Sequence, residues 1–267
     1  MIDLPLARSG QGAFEVANQA VREAGHVIMA HFHSEKRVSY KAGRSHIVTD
    51  VDVLAEEKIM ALLQQEYPDF GIVTEESPNI VGDSSCTWII DPIDGTRNYA
   101  YGIPHFCVAL ALVQKEEVLL GVIYDPVRDE LFRGEKGKGA FLNDSPIAVS
   151  RMASLEAAVI GFDMGYDAEV GREMLAVASA LWPGVQTVRV MGSAALGLAY
   201  AACGRLDLYF HLFLYPWDLA AGILIVGEAG GVITELDGTP VTIHSKRIIA
   251  ANREVHEDFI RRVNERG

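Results

Sequence analysis

The sequence predicts a mixed fold: an α+β first half joined to a second half in which strands and helices alternate. Three observations predict it. Apolar residues between Gly12 and Phe32 recur at helical spacing. Four β-rich runs between Phe106 and Phe141 are separated by Gly, Pro and charged turns. After Arg151 the rhythm changes to strand, helix, strand, which implies an α/β arrangement.

The opening helix carries Phe14, Val16, Ala17, Ala20, Val21, Ala24, Val27 and Ile28 on one face. His31 and His33 at its end read as a solvated terminus, because no nearby carboxylate or Cys completes a metal ligand set. A short strand around Val38 to Tyr40 leads to a polar loop from Lys41 to His46. A second helix then runs from about Asp50 to Tyr67. Thr49 at its N-cap and Asp52 three residues on have the spacing of a capping box, with Asp in place of the more usual Glu. Beyond Pro68, a strand from Phe70 to Thr74 ends in Glu75-Glu76, and the apolar Trp88-Ile89-Ile90 leads to Asp91.

The runs FCVALALV, VLLGVIY, ELFRG and GAFLN predict an antiparallel sheet. Between the last two, GEKGKG lacks the terminal Lys-Ser/Thr of a phosphate-cradling loop and sits between hairpin strands, so it reads as a turn. The second half supplies strand AAVIGF, a helix from about Ala168 to Leu181, strand TVRV, a helix from about Ser193 to Cys203, strand LDLYF, a helix from about Asp218 to Ala229 and strand GVITEL. No Pro- or Ser-rich linker separates residues 1–150 from 151–267, so two halves sharing an interface, with a cleft there, are expected.

The chain has 267 residues, 49% of them hydrophobic, enough for one large domain or two small ones with a sizeable core. The first residues lack the basic start and apolar run of a secretory signal, and no apolar stretch is long enough to cross a bilayer, so a cytoplasmic protein is expected. Cys86, Cys107 and Cys203 lack C-x-x-C spacing and read as free thiols. A net charge of −13 without a basic stripe argues against nucleic acid as a partner. A phosphate-bearing ligand would require bound cations to invert the sign of an acidic site.

The segment DPIDGT, 91 to 96, raises the functional question. Pro, Asp and Gly are what a turn demands, and a second Asp-Gly-Thr at 237 to 239 is adequately explained as a hairpin turn. The first copy differs in having Asp91 ahead of it, a strand feeding it and no clear returning strand behind it. Glu75-Glu76 likewise ends an apolar strand, and Asp218 follows Trp217 at a helix start, so three segments each deliver carboxylate at the end of an element. Such groups repel one another unless a cation sits among them, and hard oxygen ligands suit magnesium better than zinc. A pair of ions can clamp the attacking and leaving oxygens of an in-line displacement. Backbone N–H groups of Gly95 and Thr96 are placed to hold phosphate and the Thr96 hydroxyl to orient a water. The absence of G-x-S-x-G, H-E-x-x-H and a strand-to-helix G-x-G-x-x-G leaves serine hydrolase, zinc protease and dinucleotide-binding readings without support.

With these residues in hand, the chain resembles the inositol monophosphatase family of magnesium-dependent, lithium-sensitive phosphatases. The resemblance covers almost the whole length. It rests on Lys41 with Val48-Thr49-x-x-Asp52, on Glu75-Glu76-Ser77, on WIIDPIDGT with Asn98, on Gly192-Ser193-Ala194-Ala195, and on Trp217-Asp218 followed by Glu228-Ala229-Gly230-Gly231.

The resemblance implies a layered α/β/α/β/α sandwich of the sugar-phosphatase fold, commonly a homodimer. It implies a first magnesium ion on Glu75, Asp91 and the Ile93 carbonyl, a second on Asp91, Asp94 and Asp218, and a weaker third sharing Glu75. Thr96, supported by Asp52, would align the nucleophilic water with Glu75; Gly95 and Thr96 would bind phosphate; Ser193, Ala194 and Asp218 would lie toward substrate; Lys41 would sit on a loop near the metals. Inositol 1-phosphate is the leading substrate and fructose 1,6-bisphosphate the runner-up, with histidinol phosphate and phosphoadenosine phosphate further family choices.

Three positions depart from the inositol-phosphate pattern. His211 stands where those enzymes place a Glu touching ring hydroxyls, exchanging an acceptor for a group that can donate; a packed core His is the other reading of it. His46 stands where an Asp is common, and Arg97 where a small polar residue is frequent. A non-catalytic, partner-binding protein on the same scaffold is the rival from another class, and its mark would be a damaged metal set.

Overall fold

The computed structural model describes residues 4–40 and 47–264. Lys41 and His46, and with them the expected polar loop, lie outside the described residues. The chain opens with α1 (Ala13–His31), whose small buried residues Ala17, Ala20 and Ala24 let it lie close on its neighbours. A two-stranded antiparallel pair follows, β1 (Val38–Tyr40) with β2 (Ile47–Thr49), and leads into α2 (Asp50–Glu66).

The next strands form one seven-stranded sheet in chain order. β3 (Gly71–Thr74) pairs in parallel with β4 (Cys86–Asp94). After the five-residue helix α3 (Thr96–Ala100), antiparallel strands β5 (Cys107–Gln114), β6 (Glu117–Asp125), β7 (Glu130–Glu135), β8 (Gly139–Leu142) and β9 (Ser145–Pro146) complete it. Period-2 alternation sorts the side chains of β5: Val108, Leu110 and Leu112 join the core under α1 and α2, while Cys107, Ala109, Ala111 and Val113 face the interior. The interior side is the small one because helices press on it.

After a single 3-10 turn, the second half supplies β10 (Val159–Phe162), α4 (Ala168–Leu181), β11 (Thr187–Val190), α5 (Ala194–Ala202), β12 (Leu208–His211), α6 (Pro216–Glu228), β13 (Val232–Thr234), β14 (Ile248–Ala251) and α7 (Arg253–Asn264). Its five-stranded sheet has the order β11-β10-β12-β14-β13, the first three parallel and the last two antiparallel. Residues of α5 and α6 share one core with the inner faces of both sheets. Met174 and Ala178 of α4 and Val255 and Phe259 of α7 cover the outer face of the smaller sheet. The layers are therefore α1/α2, seven strands, α5/α6, five strands, α4/α7, the α/β/α/β/α sandwich that the resemblance implies.

A helix between two sheets must approach both closely. At Gly121 of β6, an added Cβ would sit 2.5 Å from the carbonyl oxygen of Ala221 in α6, so this backbone crossing requires glycine. The helix α6 starts at Pro216, two residues before the expected Asp218, because Pro at the first helical position is preorganised and gives up no hydrogen bond.

GEKGKG is the turn between β7 and β8, and its backbone holds a carboxylate of the chain itself: Gly137 and Gly139 donate their N–H groups to Glu228 at 2.7 and 2.8 Å. The second Asp-Gly-Thr is an exposed local turn in which Asp237 accepts from Thr239 N–H at 2.9 Å. No disulfide links the three cysteines. Among the described residues no helix is long and apolar enough to cross a membrane.

Candidate active site

The parallel strands β10, β11 and β12 place a crevice at their C-terminal ends. α4 after β10 packs on the outer face and α5 after β11 on the inner face, so β10 is a topological switch point, where open α/β sheets take ligands. A cavity of roughly 210 Å³ opens there, lined by Asp163 after β10, Val190 and Gly192 at the end of β11, and His211 at the end of β12. Its opposite wall is the DPIDGT turn, and Asp218 closes it.

In a regular strand, residues three apart point to opposite faces. The β4–β5 register shifts between Asp91, opposite Ala109, and Asp94, opposite Cys107, so one extra residue is accommodated on β4. Pro92 sits in this irregularity, where no ladder hydrogen bond is asked of it. The result is that Asp91 and Asp94 converge, and α6 brings Asp218 from far along the chain. One carboxylate oxygen from each lies within 4.8 Å of the others.

Glu75 follows β3. The parallel register pairs Thr74 with Ile90, so the next step sets Glu75 beside Asp91. Burial pushes the Asp91 carboxyl well above the usual carboxylate range, and Glu75 and then Asp94 add to it. Asp218 is raised well above its ordinary value by burial, then Asp94 and Glu75. Asp94 is raised by burial in spite of donors from Ser193, Ala195 and Ala194. Asp91 Oδ1 is buried with no hydrogen-bond partner. These are hard oxygen donors with repulsion unrelieved and a lone pair unspent, and they fit a small divalent cation better than any thiolate-preferring metal.

Thr96 is buried, and its hydroxyl faces Asp52 Oδ1 at 3.0 Å and the Ile93 carbonyl at 2.9 Å. Asp52 meets the capping geometry as well, accepting from Thr49 N–H at 2.8 Å and from the Thr49 hydroxyl. One carboxylate thus ties the start of α2 to the turn after β4. Gly95 lies between Asp94 and α3 and lines the cavity with Thr96. Ser193 Oγ and the N–H groups of Ala194 (3.1 Å) and Ala195 (2.7 Å) all donate to Asp94, so these groups orient the carboxylate.

His211 is both buried and on the cavity wall, which joins the two readings open for it. Burial lowers its pKa to about 3, so the ring is neutral at physiological pH. Its Nδ1 accepts from Phe213 N–H at 3.0 Å, which assigns the hydrogen to Nε2 and makes that atom a donor. Arg97 stacks over Tyr166, 4.7 Å from the ring centroid, on the same cavity wall. His31 and His33 are exposed, away from any ligand set.

Two buried acids bonded to segments of the site escaped the sequence reading. Asp163 ends the apolar run VIGF in the same pattern as Glu75 and Asp91, and that pattern was the available signal. Glu56 of α2 accepts from the Thr74 hydroxyl and from Glu76 N–H at 2.9 Å, holding the chain on both sides of Glu75. Nothing in an amphipathic helix pattern marks that role.

A model of the inositol monophosphatase family matches residues 11–267. A fructose-1,6-bisphosphatase/inositol-1-monophosphatase of Thermotoga maritima is 38% identical over 245 residues, 92% of this chain and 93% of that protein. The crystal structure of the extragenic suppressor protein suhB of Bartonella henselae superposes with a TM-score of 0.90 at 38% identity, covering 94% of this chain and 98% of the other. An IMPase/NADP phosphatase structure, complexed with Mg2+ and phosphate, gives a TM-score of 0.83 at 25% identity over 94% of each chain.

Proposed function

The chain belongs to the inositol monophosphatase family, whose members hydrolyse phosphomonoesters, and on that premise we propose a magnesium-dependent phosphatase acting on a small polyol or sugar phosphate. Inositol 1-phosphate is the leading substrate, and fructose 1,6-bisphosphate is the runner-up. The observation that carries the reading is the cluster of Asp91, Asp94 and Asp218, of which Asp94 and Asp218 line the cavity, with Asp91 Oδ1 buried and unpartnered. Glu75 and the Ile93 carbonyl complete the donor set.

Magnesium bound there would neutralise phosphate charge and lower the pKa of water to a useful range. The chain's own residues do the rest. Thr96, fixed by Asp52, orients the attacking water with Glu75 as its partner. Gly95 and Thr96 hold phosphate oxygens through their N–H groups. His211 presents an N–H to the leaving group, so it reads an acceptor atom there rather than a hydroxyl hydrogen. The protein works as a homodimer in the cytoplasm on this reading.

The test is phosphate release from purified protein across inositol, fructose, histidinol and nucleotide phosphates, with magnesium titrated and lithium added. Magnesium-dependent release that lithium suppresses is the expected result. No release from any ester, with a stable complex with another protein recovered instead, would reject the reading in favour of a partner-binding role.

A further inference from the structure

We propose that Asp163 is a positioning residue for Asp94, acting through the Gly192 segment; the inference rests on the metal reading above. Asp163 follows β10 at the switch point and is 5% exposed. Its Oδ1 accepts from Gly192 N–H, and its Oδ2 accepts from the Tyr209 hydroxyl at 2.6 Å. Gly192 has φ +82°, open to glycine, and an added Cβ would lie 2.7 Å from Asn98 Nδ2.

The segment is restrained from its other side too. Asn98, one turn after DPIDGT, donates Nδ2–H to Met191 O at 3.1 Å and to His105 O at 2.8 Å. The next three residues then supply the donors to Asp94: Ser193 hydroxyl, Ala194 N–H and Ala195 N–H. Two side chains, the half-buried Asn98 of α3 and the buried Asp163 after β10, therefore grip residues 191 and 192 from opposite sides, and the direction of the Asp94 donors follows from that grip.

A carboxylate suits the task because it offers two diverging acceptors, one for a backbone N–H and one for a phenol. Without it, the Gly192 N–H and the buried Tyr209 hydroxyl lose their acceptor, and the segment is free to turn away from Asp94. Asp163 does not need to touch an ion or substrate to do this.

The test uses the full chain with Mn2+ alone as probe, unbound Mn2+ being read by electron paramagnetic resonance, alongside amide hydrogen exchange at Gly192, Ala194 and Ala195. Asp163→Ala should weaken Mn2+ binding by about tenfold or more and speed exchange at those amides. Asp163→Asn keeps an oxygen for Gly192 N–H and an amide that donates to the Tyr209 oxygen, so it should stay within about threefold of the parent. Tyr209→Phe removes only the hydroxyl and should move both readouts in the same direction by less.

Mn2+ binding and amide exchange unchanged in Asp163→Ala would overturn the inference, as would Asp163→Asn falling as far as Asp163→Ala. Should Asp163→Ala not fold, unchanged readouts in Tyr209→Phe overturn it on their own. A parent protein that fails to bind Mn2+ rejects the metal reading instead, and the exchange rates still decide whether Asp163 holds the segment.

Discussion

Thr96 has one hydroxyl hydrogen and two acceptors, Asp52 at 3.0 Å and the Ile93 carbonyl at 2.9 Å. It can serve only one at a time. While Asp52 is ionised the hydrogen belongs to the carboxylate, and the Ile93 oxygen keeps its lone pairs for another partner. The protonation of Asp52 thus bears on the backbone atom that DPIDGT contributes.

Burial lifts Asp52 to about 6 against the hydrogen bonds from Thr49, and lifts Asp163 to about 7 against those from Tyr209 and Gly192. Both folded values lie above the unfolded carboxylate value, so the stability they contribute is fully present below about 4 and is lost as pH rises through about 6 and about 7. Metal-free protein should therefore be more stable at pH 5 than at pH 8, by about a kcal/mol or two once His211 is counted against the two acids, and should melt correspondingly higher. Buried His211 opposes the two acids, since a folded value near 3 costs stability as pH falls below about 6.5, so thermal melts in chelator across that window are compared between the parent and His211→Ala, in which the fall from pH 5 to pH 8 should be steeper.

Magnesium should reverse the cost of clustered acids. At about one hundred times its Kd it stabilises by about 2.7 kcal/mol, which for a chain of this size is a rise in Tm of roughly 5–10 °C. Asp91→Asn should lose most of that rise while melting no lower than the parent in chelator, since one buried like charge has gone. Asp94→Asn should retain the fold and lower kcat by at least about a hundredfold. Calorimetry with and without magnesium, and phosphate release, are the measurements.

His211 should govern the leaving group and not the pH profile. Its pKa near 3 keeps it neutral throughout the working range. His211→Ala should change the ratio of kcat/KM between leaving groups with and without an acceptor atom by about tenfold, the worth of one buried hydrogen bond. Equal losses on every ester would show that the ring only packs.

Gly121→Ala should disturb the site from a distance. Its new methyl meets the Ala221 carbonyl oxygen, so α6 must shift, and α6 carries Asp218 in its first turn. Overpacking of this kind costs about 1–3 kcal/mol. Lower Tm with weaker magnesium binding is expected; a lower Tm with unchanged binding would mean that the helix start is anchored independently.

Much of this arrangement was legible in the chain. The helix α1, the antiparallel run β5 to β8 and the α/β alternation follow from periodicity, because one-sided burial imposes the period. The five layers did not follow from it; they came through the resemblance, since periodicity does not say which face of α6 meets which sheet. Residues such as Asp91 and Asp218 announced themselves as acids at the ends of apolar elements. Asp163 had the same signature, but Gly161, Gly165 and Asp167 around it read as ordinary turn residues before a helix, with no adjacent acid as in Glu75-Glu76 to draw notice. Glu56 was invisible because its partners, Thr74 and Glu76, are 18 and 20 residues away and are set by tertiary contact. His211 could be read two ways because burial and cavity lining are not exclusive when a cavity forms between strand ends.

The order in which the chain is made gives the position of Asp218 a further meaning. A growing polypeptide that has not yet emerged past Trp217 carries the β4 turn and the α5 start but lacks the third acid of the Asp91, Asp94 and Asp218 cluster. Completion of that cluster therefore waits on a residue in the last fifth of the chain.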